Sequence, residues 1–239
     1  RGIPVICNPA HNANAVAEMT IGMMIAETRN IARCHVAMTQ KHEWLESFPN
    51  SGRIHELGSS IVGIIGFGTI GRLLTKKLIA GFGCKVLVYD PYVDGEDIKA
   101  LGAEPVSLDE LLKHSDIISM MARVSESSRH MISTREFSLM KPTAVFINTA
   151  RPALVYTKAL YEALKNRQIT GAALDVYDKE PIDPDNPLLT LDNVTLTCHK
   201  SGDTVEAFDN SPTMVLSEVE NYFNGKIPRF LVNPEVLKG

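Results

Sequence analysis

The sequence is poor in the residues that cross-link or anchor a fold. Aromatic residues make up only 6% of the 239 positions, with a single tryptophan, and there are four cysteines. Cys7, Cys34, Cys84 and Cys198 form no C-x-x-C pair and no zinc-like cluster. Scattered cysteines of this kind are typical of free thiols in a reducing compartment. We therefore expect a cytoplasmic protein without a metal site.

The chain also lacks an excess of one charge and any long apolar run. Its net charge is -4, from 24 Lys and Arg against 28 Asp and Glu, and no block of Lys or Arg occurs. This argues against a nucleic-acid partner or an anionic membrane surface. The most apolar helical stretch, Met19 to Ala26, is enclosed by Glu18 and Glu27 and is far too short to span a bilayer. With 44% apolar residues and no repeat, the chain can bury a large core.

The most informative feature present is a glycine motif that follows an apolar run. Ile61 to Ile65 are apolar and mostly β-branched, which predicts a strand buried on both faces. The glycines after it have the G-x-G-x-x-G spacing, and a helix is predicted from Ile70 to Ile79. The first glycine permits a tight turn, the second lets a pyrophosphate approach the backbone, and the third allows close helix packing. The residues expected to contact a dinucleotide here are Gly66, Gly68, Thr69, Ile70 and Gly71.

An acidic residue lies at the distance that this motif requires. Lys85 to Tyr89 is predicted as the second strand, and Asp90 follows it, nineteen residues after the last glycine of the motif. A carboxylate at this position accepts hydrogen bonds from the ribose diol and repels a 2′-phosphate. The expected cofactor is therefore NAD, in preference to NADP.

Strands and helices then alternate along the chain. Apolar strands of this kind indicate an α/β protein, a Rossmann-type doubly wound parallel sheet covered by helices on both faces. One helix start carries an S-x-x-E capping box at Ser107 and Glu110. Helices are predicted at Ser107 to His114 and Lys158 to Asn166, and strands at Asp116 to Met120, Ala144 to Asn148, Gly171 to Asp175 and Val194 to Thr197.

The flanking segments fit this alternation less regularly. A helix from Ala13 to Ala32 is apolar around much of its circumference, so it needs burial on more than one side. It could cross between domains, pack against a second subunit or serve as a plain core helix. The other predicted segments are strands at Gly2 to Cys7 and Phe230 to Leu237, a loop at Trp44 to Leu57, and an amphipathic helix at Val205 to Phe223.

Polar residues follow three of the predicted strands. Arg151 lies three residues past one strand, Asp175 ends the next, and His199 lies two residues past another. Glu180 follows Asp175 by five residues. Since ligands bind beyond the carboxyl ends of parallel strands, a guanidinium, a carboxylate and an imidazole that converge there would suit a small carboxylic acid.

Three segments carry a specific resemblance to a known family. Together with Val16-Ala17-Glu18 and Met140-Lys141-Pro142, they resemble the D-isomer-specific 2-hydroxyacid dehydrogenases, in particular the phosphoglycerate-dehydrogenase-like branch. The resemblance covers essentially the whole chain. The three segments are Asn148-Thr-Ala-Arg151, Gly171-Ala-Ala-Leu-Asp175-Val-Tyr-Asp-Lys-Glu180-Pro181 and Asn193-Val-Thr-Leu-Thr-Cys-His199.

The resemblance implies three catalytic residues. Arg151 would bind the substrate carboxylate and carbonyl, His199 would be the acid/base, and Glu180 would pair with it. The chemistry agrees, because reduction of a 2-keto acid needs a hydride on C2 and a proton on the oxygen, and an imidazolium beside a carboxylate can supply the proton. A planar guanidinium suits a carboxylate better than a lysine does.

The resemblance further implies how the chain is organised. Residues 1–7 would be the last strand of an incomplete, N-terminally truncated substrate domain, and residues 8–203 the NAD-binding domain, which includes the interdomain helix 13–32. Residues 204–239 would return to the substrate domain. A homodimer is expected, as is Asp175 on the carboxamide side of the nicotinamide. The implied cofactor contacts in this half are Thr149, Ala150, Arg151, Asp175, His199 and Gly202.

Several positions depart from the family pattern. Pro152 replaces a glycine, Tyr156 an aspartate, and Cys198 the usual proline, while Lys200 follows His199 where an apolar residue is usual. Pro152 biases Arg151 toward an extended backbone. Lys200 could favour an acidic substrate or simply face solvent. The substitutions at Pro152 and Lys200 keep a pseudoenzyme open as an alternative. An NAD-sensing, corepressor-like binding protein of the same fold is a second alternative, because such corepressors can keep the arginine, glutamate and histidine.

Overall fold

A single parallel sheet organises the molecule. The computed structural model describes residues 2–46 and 55–238. Seven strands lie in the order β3-β2-β1-β4-β5-β6-β7, and all the pairings between them are parallel. The strands are β1 (Ile61–Ile65), β2 (Lys85–Tyr89), β3 (Glu104–Pro105), β4 (Ile117–Met120), β5 (Val145–Asn148), β6 (Gly171–Leu174) and β7 (Val194–Leu196).

Helices cover both faces of this sheet. Eight α-helices lie in the described part of the chain, together with short 3₁₀ and π turns. The prediction of a doubly wound α/β fold is confirmed. The helices are α1 (Ala13–Thr28), α2 (Ile31–Val36), α3 (Thr69–Phe82), α4 (Gly95–Lys99), α5 (Leu108–His114), α6 (Thr134–Leu139), α7 (Thr157–Lys165) and α8 (Val205–Phe223).

Alternate side chains of the central strands enter two separate cores. Val62 and Ile64 of β1 pack with α1 and α3, whereas Ile65 packs with α5, α6 and α7 on the other face. In β5, Ile147 joins the first core and Phe146 the second. Because successive side chains of a strand point to opposite faces, a strand that is apolar throughout must be covered on both sides.

The predicted helix from Ala13 to Ala32 is two helices. α1 ends at Thr28, and Asn30 adopts a left-handed backbone with φ of 55° before α2 begins. Asparagine tolerates this conformation better than most residues, and Arg33 can then return to the buried Glu27, with Nη2 and Oε1 2.6 Å apart. The apolar sides of α1 are buried within the chain, against α3 and the β5, β6 and β7 strands.

The predicted terminal strands are also corrected. Gly2 to Cys7 forms only one antiparallel bridge, from Ile6 to Leu231, and the predicted strand at Phe230 to Leu237 continues from that bridge into a 3₁₀ turn at Pro234–Lys238. Proline at the first position of the turn has a backbone angle already suited to a helix. The N-terminal and C-terminal segments thus lie side by side.

Most other boundaries agree with the predicted ones to within a few residues, and α8 spans Val205–Phe223 as predicted. The capping box at Ser107 and Glu110 is present. Three short elements were not predicted: α4, α6 and β3. Of the predicted loop at Trp44 to Leu57, residues 47–54 lie outside the described part. No helix among the described residues is both long and apolar enough to cross a membrane.

Candidate active site

The glycine loop between β1 and α3 has the geometry that its spacing requires. Gly66 has φ of 101°, and a Cβ there would lie 2.5 Å from Cα of Ala122. A Cβ on Gly71 would lie 2.3 Å from the carbonyl oxygen of Gly66. Any side chain at these two positions would therefore displace backbone. Around Gly68, in contrast, a Cβ would meet nothing within 4 Å, so this part of the loop is open.

The open part of the loop is also the start of a helix. Gly68 is the N-cap of α3 and supplies no side-chain hydrogen bond to it. The first N–H groups of a helix have no partner within the helix, and the helix dipole adds partial positive charge there. Backbone donors of Thr69, Ile70 and Gly71 therefore surround an exposed cradle suited to a pyrophosphate.

Asp90 lies beside this cradle at the end of β2. One oxygen of its carboxylate accepts a hydrogen bond from the backbone N–H of Phe67 at 2.7 Å, and the other accepts from Tyr92 N–H at 2.9 Å. These bonds fix the carboxylate against the glycine loop. Each oxygen keeps a second lone pair that could accept from a ribose hydroxyl.

A second group of polar residues lies at the carboxyl ends of β5, β6 and β7. His199 and Glu180 form a hydrogen-bonded pair, with 2.7 Å between Nδ1 and Oε2. Both side chains are partly exposed, 45% for His199 and 36% for Glu180. Arg151 is exposed, and its Nη1 donates to the carbonyl oxygen of Ala150 at 2.7 Å. The structure thus brings His199 and Glu180 together and leaves the Arg151 guanidinium folded over its own loop.

The carboxylate of Glu180 is held in its ionised form. The hydrogen bond with His199, followed by the one from the backbone N–H of Tyr177, lowers the pKa of Glu180 below its usual value. Glu180 is therefore negatively charged near neutral pH, where it can stabilise a protonated imidazole.

Asp175, predicted to contact the nicotinamide, forms its hydrogen bonds within the protein. Asp175 is fully buried, and its oxygens accept hydrogen bonds from Thr197 Oγ1 and from the N–H groups of Lys200 and Ser201. Burial raises the pKa of the Asp175 carboxyl group, but the hydrogen bonds from Ser201, Thr197 and Lys200 outweigh it and leave the pKa low. Asp175 is thus a buried anchor for the loop that carries His199.

The remaining predicted contacts lie near α1 or in the loop after β5. Thr149 is buried, and its hydroxyl lies 2.8 Å from that of Thr20 on α1. The backbone N–H of Ala150 donates to Asn148 Oδ1 at 3.1 Å. Gly202 lies against Asn12, since a Cβ there would be 2.3 Å from Asn12 Nδ2. The roles of Thr149, Ala150 and Gly202 toward the cofactor stay predictions.

The departures from the family pattern have visible consequences. Arg151 has an extended backbone (φ -146°, ψ 145°), as expected before Pro152, which begins a 3₁₀ turn. Lys200 is exposed, and its Nζ lies 2.6 Å from Oδ2 of Asp203. Its charge is thus balanced by its neighbour, which supports the solvent-facing interpretation over a preference for acidic substrates. Cys198 is an exposed free thiol.

The sequence analysis gave no role to several residues around the site. The backbone N–H of Phe67 donates to Asp90. The hydroxyls of Thr20 and Thr197 contact Thr149 and Asp175, which are distant in the chain. Tyr177 contacts both the β7 end and Glu180. Only three-dimensional proximity reveals such contacts. Within residues 2–46 and 55–238, no group of three or more His, Cys, Asp and Glu side chains could hold a metal ion.

The parallel sheet, the open glycine cradle and the acidic residue after β2 define a dinucleotide-binding domain of the dehydrogenase type. Comparisons with known proteins identify the family. Residues 21–201 match the family described as "D-isomer specific 2-hydroxyacid dehydrogenase, NAD binding domain". The chain belongs to this family, whose members are NAD-dependent 2-hydroxyacid dehydrogenases, and NAD is its cofactor.

Relatives and solved structures agree with this assignment. The chain is 38% identical to D-3-phosphoglycerate dehydrogenase of Methanocaldococcus jannaschii, over 98% of this chain and 44% of that protein. It is 35% identical to glyoxylate reductase of Korarchaeum cryptofilum, over 100% of this chain and 71% of that protein. The chain thus spans less than half of the first relative and about seven-tenths of the second.

A structural neighbour with bound cofactor has the same fold. The NAD complex of a D-isomer specific 2-hydroxyacid dehydrogenase from Lactobacillus delbrueckii ssp. bulgaricus superposes with a TM-score of 0.86 at 27% identity. The match covers 97% of this chain and 72% of that one.

Proposed function

We propose that this chain carries the cofactor site and the acid/base pair of a dehydrogenase that interconverts a small D-2-hydroxy acid and its 2-keto acid. The observation that carries the proposal is the 2.7 Å contact between His199 Nδ1 and Glu180 Oε2, at the carboxyl edge of an NAD-binding sheet. Exposed histidines with an oriented carboxylate partner at such an edge are suited to proton transfer.

The proposed roles follow from which atoms are free. NAD, when bound by the glycine cradle and Asp90, supplies the hydride donor or acceptor. Glu180 engages Nδ1 of His199, so Nε2 is the nitrogen that passes a proton to the substrate oxygen in reduction and removes it in oxidation. Glu180 holds the tautomer and stabilises the imidazolium.

Arg151 is proposed to bind the substrate carboxylate and carbonyl. Its guanidinium is exposed and carries five N–H donors. One of them donates to the carbonyl oxygen of Ala150 within the same loop. The other donors can form a bidentate pair with a carboxylate, which a lysine could not.

We also propose the division of the chain into residues 1–7, 8–203 and 204–239. The pairing of Ile6 with Leu231, and the backbone hydrogen bonds from Cys7 N–H to Phe230 and from Val232 N–H to Val5, support a common lobe for the two ends. The free cysteines support a cytoplasmic location. A homodimer remains a proposal from the family, and sedimentation of the full-length protein would test it.

The decisive experiment follows NADH consumption by the full-length protein with glyoxylate, hydroxypyruvate, pyruvate, 2-oxoglutarate and phosphohydroxypyruvate. Turnover with one of them is expected, and His199→Ala should lower it by about two to four orders of magnitude, the usual contribution of a positioned acid/base. NADH affinity should change little.

The control is His114→Ala, at the end of α5 and away from these strand ends. It should retain activity. If NADH binds but none of the five 2-keto acids is reduced, a substrate outside this set or the NAD-sensing interpretation would replace this one. Full turnover by His199→Ala would remove that residue from the mechanism.

A further inference from the structure

The backbone of His199 is held in an unusual conformation. His199 has φ of 55°, in the left-handed region that a residue with a side chain rarely adopts. Such a conformation persists only where surrounding contacts impose it. On the C-terminal side, Asp175 provides those contacts through the N–H groups of Lys200 and Ser201, each at 2.9 Å.

On the N-terminal side, the contact comes from Tyr177. Its hydroxyl lies 2.7 Å from the carbonyl oxygen of Thr197 and 3.0 Å from that of Leu174. The hydroxyl has one proton, and the Leu174 carbonyl already accepts from Thr197 N–H at 3.0 Å. Thr197 is thus the nearer and less occupied acceptor, two residues before His199.

The same tyrosine also holds the carboxylate that pairs with His199. The backbone N–H of Tyr177 donates to Glu180 Oε1 at 3.0 Å, while Glu180 Oε2 faces His199 Nδ1. Two groups of one residue therefore fix the two partners, the phenol fixing the strand end before His199 and the amide fixing Glu180.

The tyrosine is suited to act as a permanent donor. Its ring is half-buried at the end of β6. Burial, followed by the negative charge of Asp175, raises the pKa of the Tyr177 phenol well above its usual value. The hydroxyl consequently keeps its proton throughout the neutral range and can always donate to Thr197.

We infer that Tyr177 is a positioning residue for the His199–Glu180 pair, which it holds in register through its hydroxyl. The inference rests on the proposed function, since it is that pair which would transfer the proton. It predicts that phenylalanine, which fills the same space without a donor, loosens the pair and slows turnover while cofactor binding persists.

The test compares three variants of the full-length protein, Tyr177→Phe, Glu180→Ala and Tyr161→Phe. The matched control, Tyr161, lies on α7 with its ring against Lys165 and away from the strand ends. Nitrogen NMR of the neutral His199 ring, assigned through His199→Ala, reports the fraction with the proton on Nδ1. Thermal unfolding checks that each variant is folded.

Glu180→Ala should lower the Nδ1–H fraction strongly, Tyr177→Phe partly, and Tyr161→Phe not at all. For turnover, Tyr177→Phe should lower kcat by about three- to tenfold, the range for one lost hydrogen bond, without a change in NADH affinity. A folded Tyr177→Phe protein with wild-type tautomer and kcat would overturn the inference and leave the proposed function intact.

Two further outcomes separate the two claims. If Glu180→Ala leaves the tautomer unchanged, the pair does not form, and both the inference and the acid/base assignment fail. If the tautomer shifts as expected but no 2-keto acid is reduced, the substrate reaction is wrong while the positioning role of Tyr177 stands.

Discussion

The two halves of the carboxyl edge of the sheet are built in different ways. At the cofactor half, Gly66, Gly68 and Gly71 lie within six consecutive residues, and the backbone itself forms the cradle. At the other half, which holds the proposed acid/base pair of His199 and Glu180 and which we call the catalytic half, the contacts join residues far apart in the chain. Glu180 and His199 are 19 residues apart, and Thr20 and Thr149 are 129 apart.

This difference determines which changes each half can tolerate. The cradle depends on the absence of side chains, so a single methyl group can block it. The catalytic half depends on a network of hydrogen bonds, so the loss of one partner loosens the loop without filling any space. Added side chains should therefore disrupt the cofactor half by steric clash, whereas the removal of a hydrogen-bond partner should disrupt the catalytic half.

The largest effect on stability is expected from Gly71→Ala. Its Cβ would lie 2.3 Å from the backbone oxygen of Gly66, so the glycine loop and α3 must separate. We expect a loss of stability of about 3 kcal/mol, in the range of overpacked cores, and NADH binding weakened at least tenfold by the displaced loop. Urea unfolding and NADH titration measure the two effects.

Two other glycines extend this test, Gly81 as a control for stability and Gly68 as a probe of the cradle alone. Gly81→Ala lies on the same helix with nothing within 4 Å of the added Cβ, and it should raise stability by about 0.5 to 1 kcal/mol. Gly68→Ala should weaken NADH binding while stability stays near that of the wild type, because only a ligand occupies the open space there. Tight NADH binding by Gly68→Ala would contradict the cradle.

In the catalytic half, Asp175→Asn removes an acceptor and adds no bulk. The amide cannot accept from Thr197, Lys200 and Ser201 as the carboxylate does, because its NH₂ group would face a donor. One unsatisfied buried donor should cost about 2 kcal/mol at pH 7. NADH binding should suffer less than in Gly71→Ala.

The pH dependence gives this prediction a sign. Since the folded-state pKa of Asp175 is low, the folded protein binds this proton less readily than the unfolded chain does. The stabilisation is present above about pH 4, the ordinary aspartate range, and is lost as the pH falls through the folded-state pKa. In urea unfolding, the free energy of unfolding should fall less between pH 7 and pH 3 for Asp175→Asn than for the wild type. Equal decreases would contradict the assignment.

A smaller effect is expected from Asp90→Ala. It removes the acceptor for Phe67 N–H and, in the bound state, for the ribose. NADH should bind about tenfold more weakly, equivalent to about 1.4 kcal/mol, and NADPH should be discriminated against less strongly. Competition titrations with the two nucleotides measure this. The control is Asp97→Ala, which removes an exposed carboxylate paired with Arg72. If Asp90→Ala keeps the wild-type preference for NADH over NADPH, Asp90 has no role in cofactor selection.

The same contrast explains which parts of the fold the sequence predicts. Strands buried on both faces and the capping box at Ser107 are encoded locally, so their positions follow from short patterns. α6 was missed although Ser133 and Glu136 form the same capping box. The break at Asn30 depends on the return of Arg33 to Glu27, a contact that no periodicity encodes.

The candidate site divides in the same manner. The positions of Arg151, Glu180 and His199 at one edge of the sheet follow from their places after predicted strands, because parallel strands present their carboxyl ends together. Their roles stay predictions. The orientation of Arg151 toward Ala150 and the burial of Asp175 did not follow, because hydrogen-bond partners chosen by the fold decide them.

The smallest effect on stability is expected at Tyr156, an N-cap position where helices usually have Ser, Thr, Asp or Asn. Tyr156 is the N-cap of α7 and makes no side-chain hydrogen bond to the helix, while its exposed ring contacts His130 at 5.4 Å between centroids. Its backbone is extended, as an N-cap requires. An aspartate there would accept a hydrogen bond from a backbone N–H of the first helical turn, and its negative charge would interact favourably with the helix dipole. These two effects should raise the free energy of unfolding by about 1 kcal/mol.

Urea unfolding of Tyr156→Asp against Tyr156→Ala isolates this contribution. Both variants lose the same ring contact with His130, but only aspartate supplies an acceptor, so their difference measures the cap alone. A difference near zero would mean that the α7 start is already satisfied by solvent. A positive difference with unchanged turnover would show that α7 can be strengthened locally, while the loops of the catalytic half still depend on their distant partners.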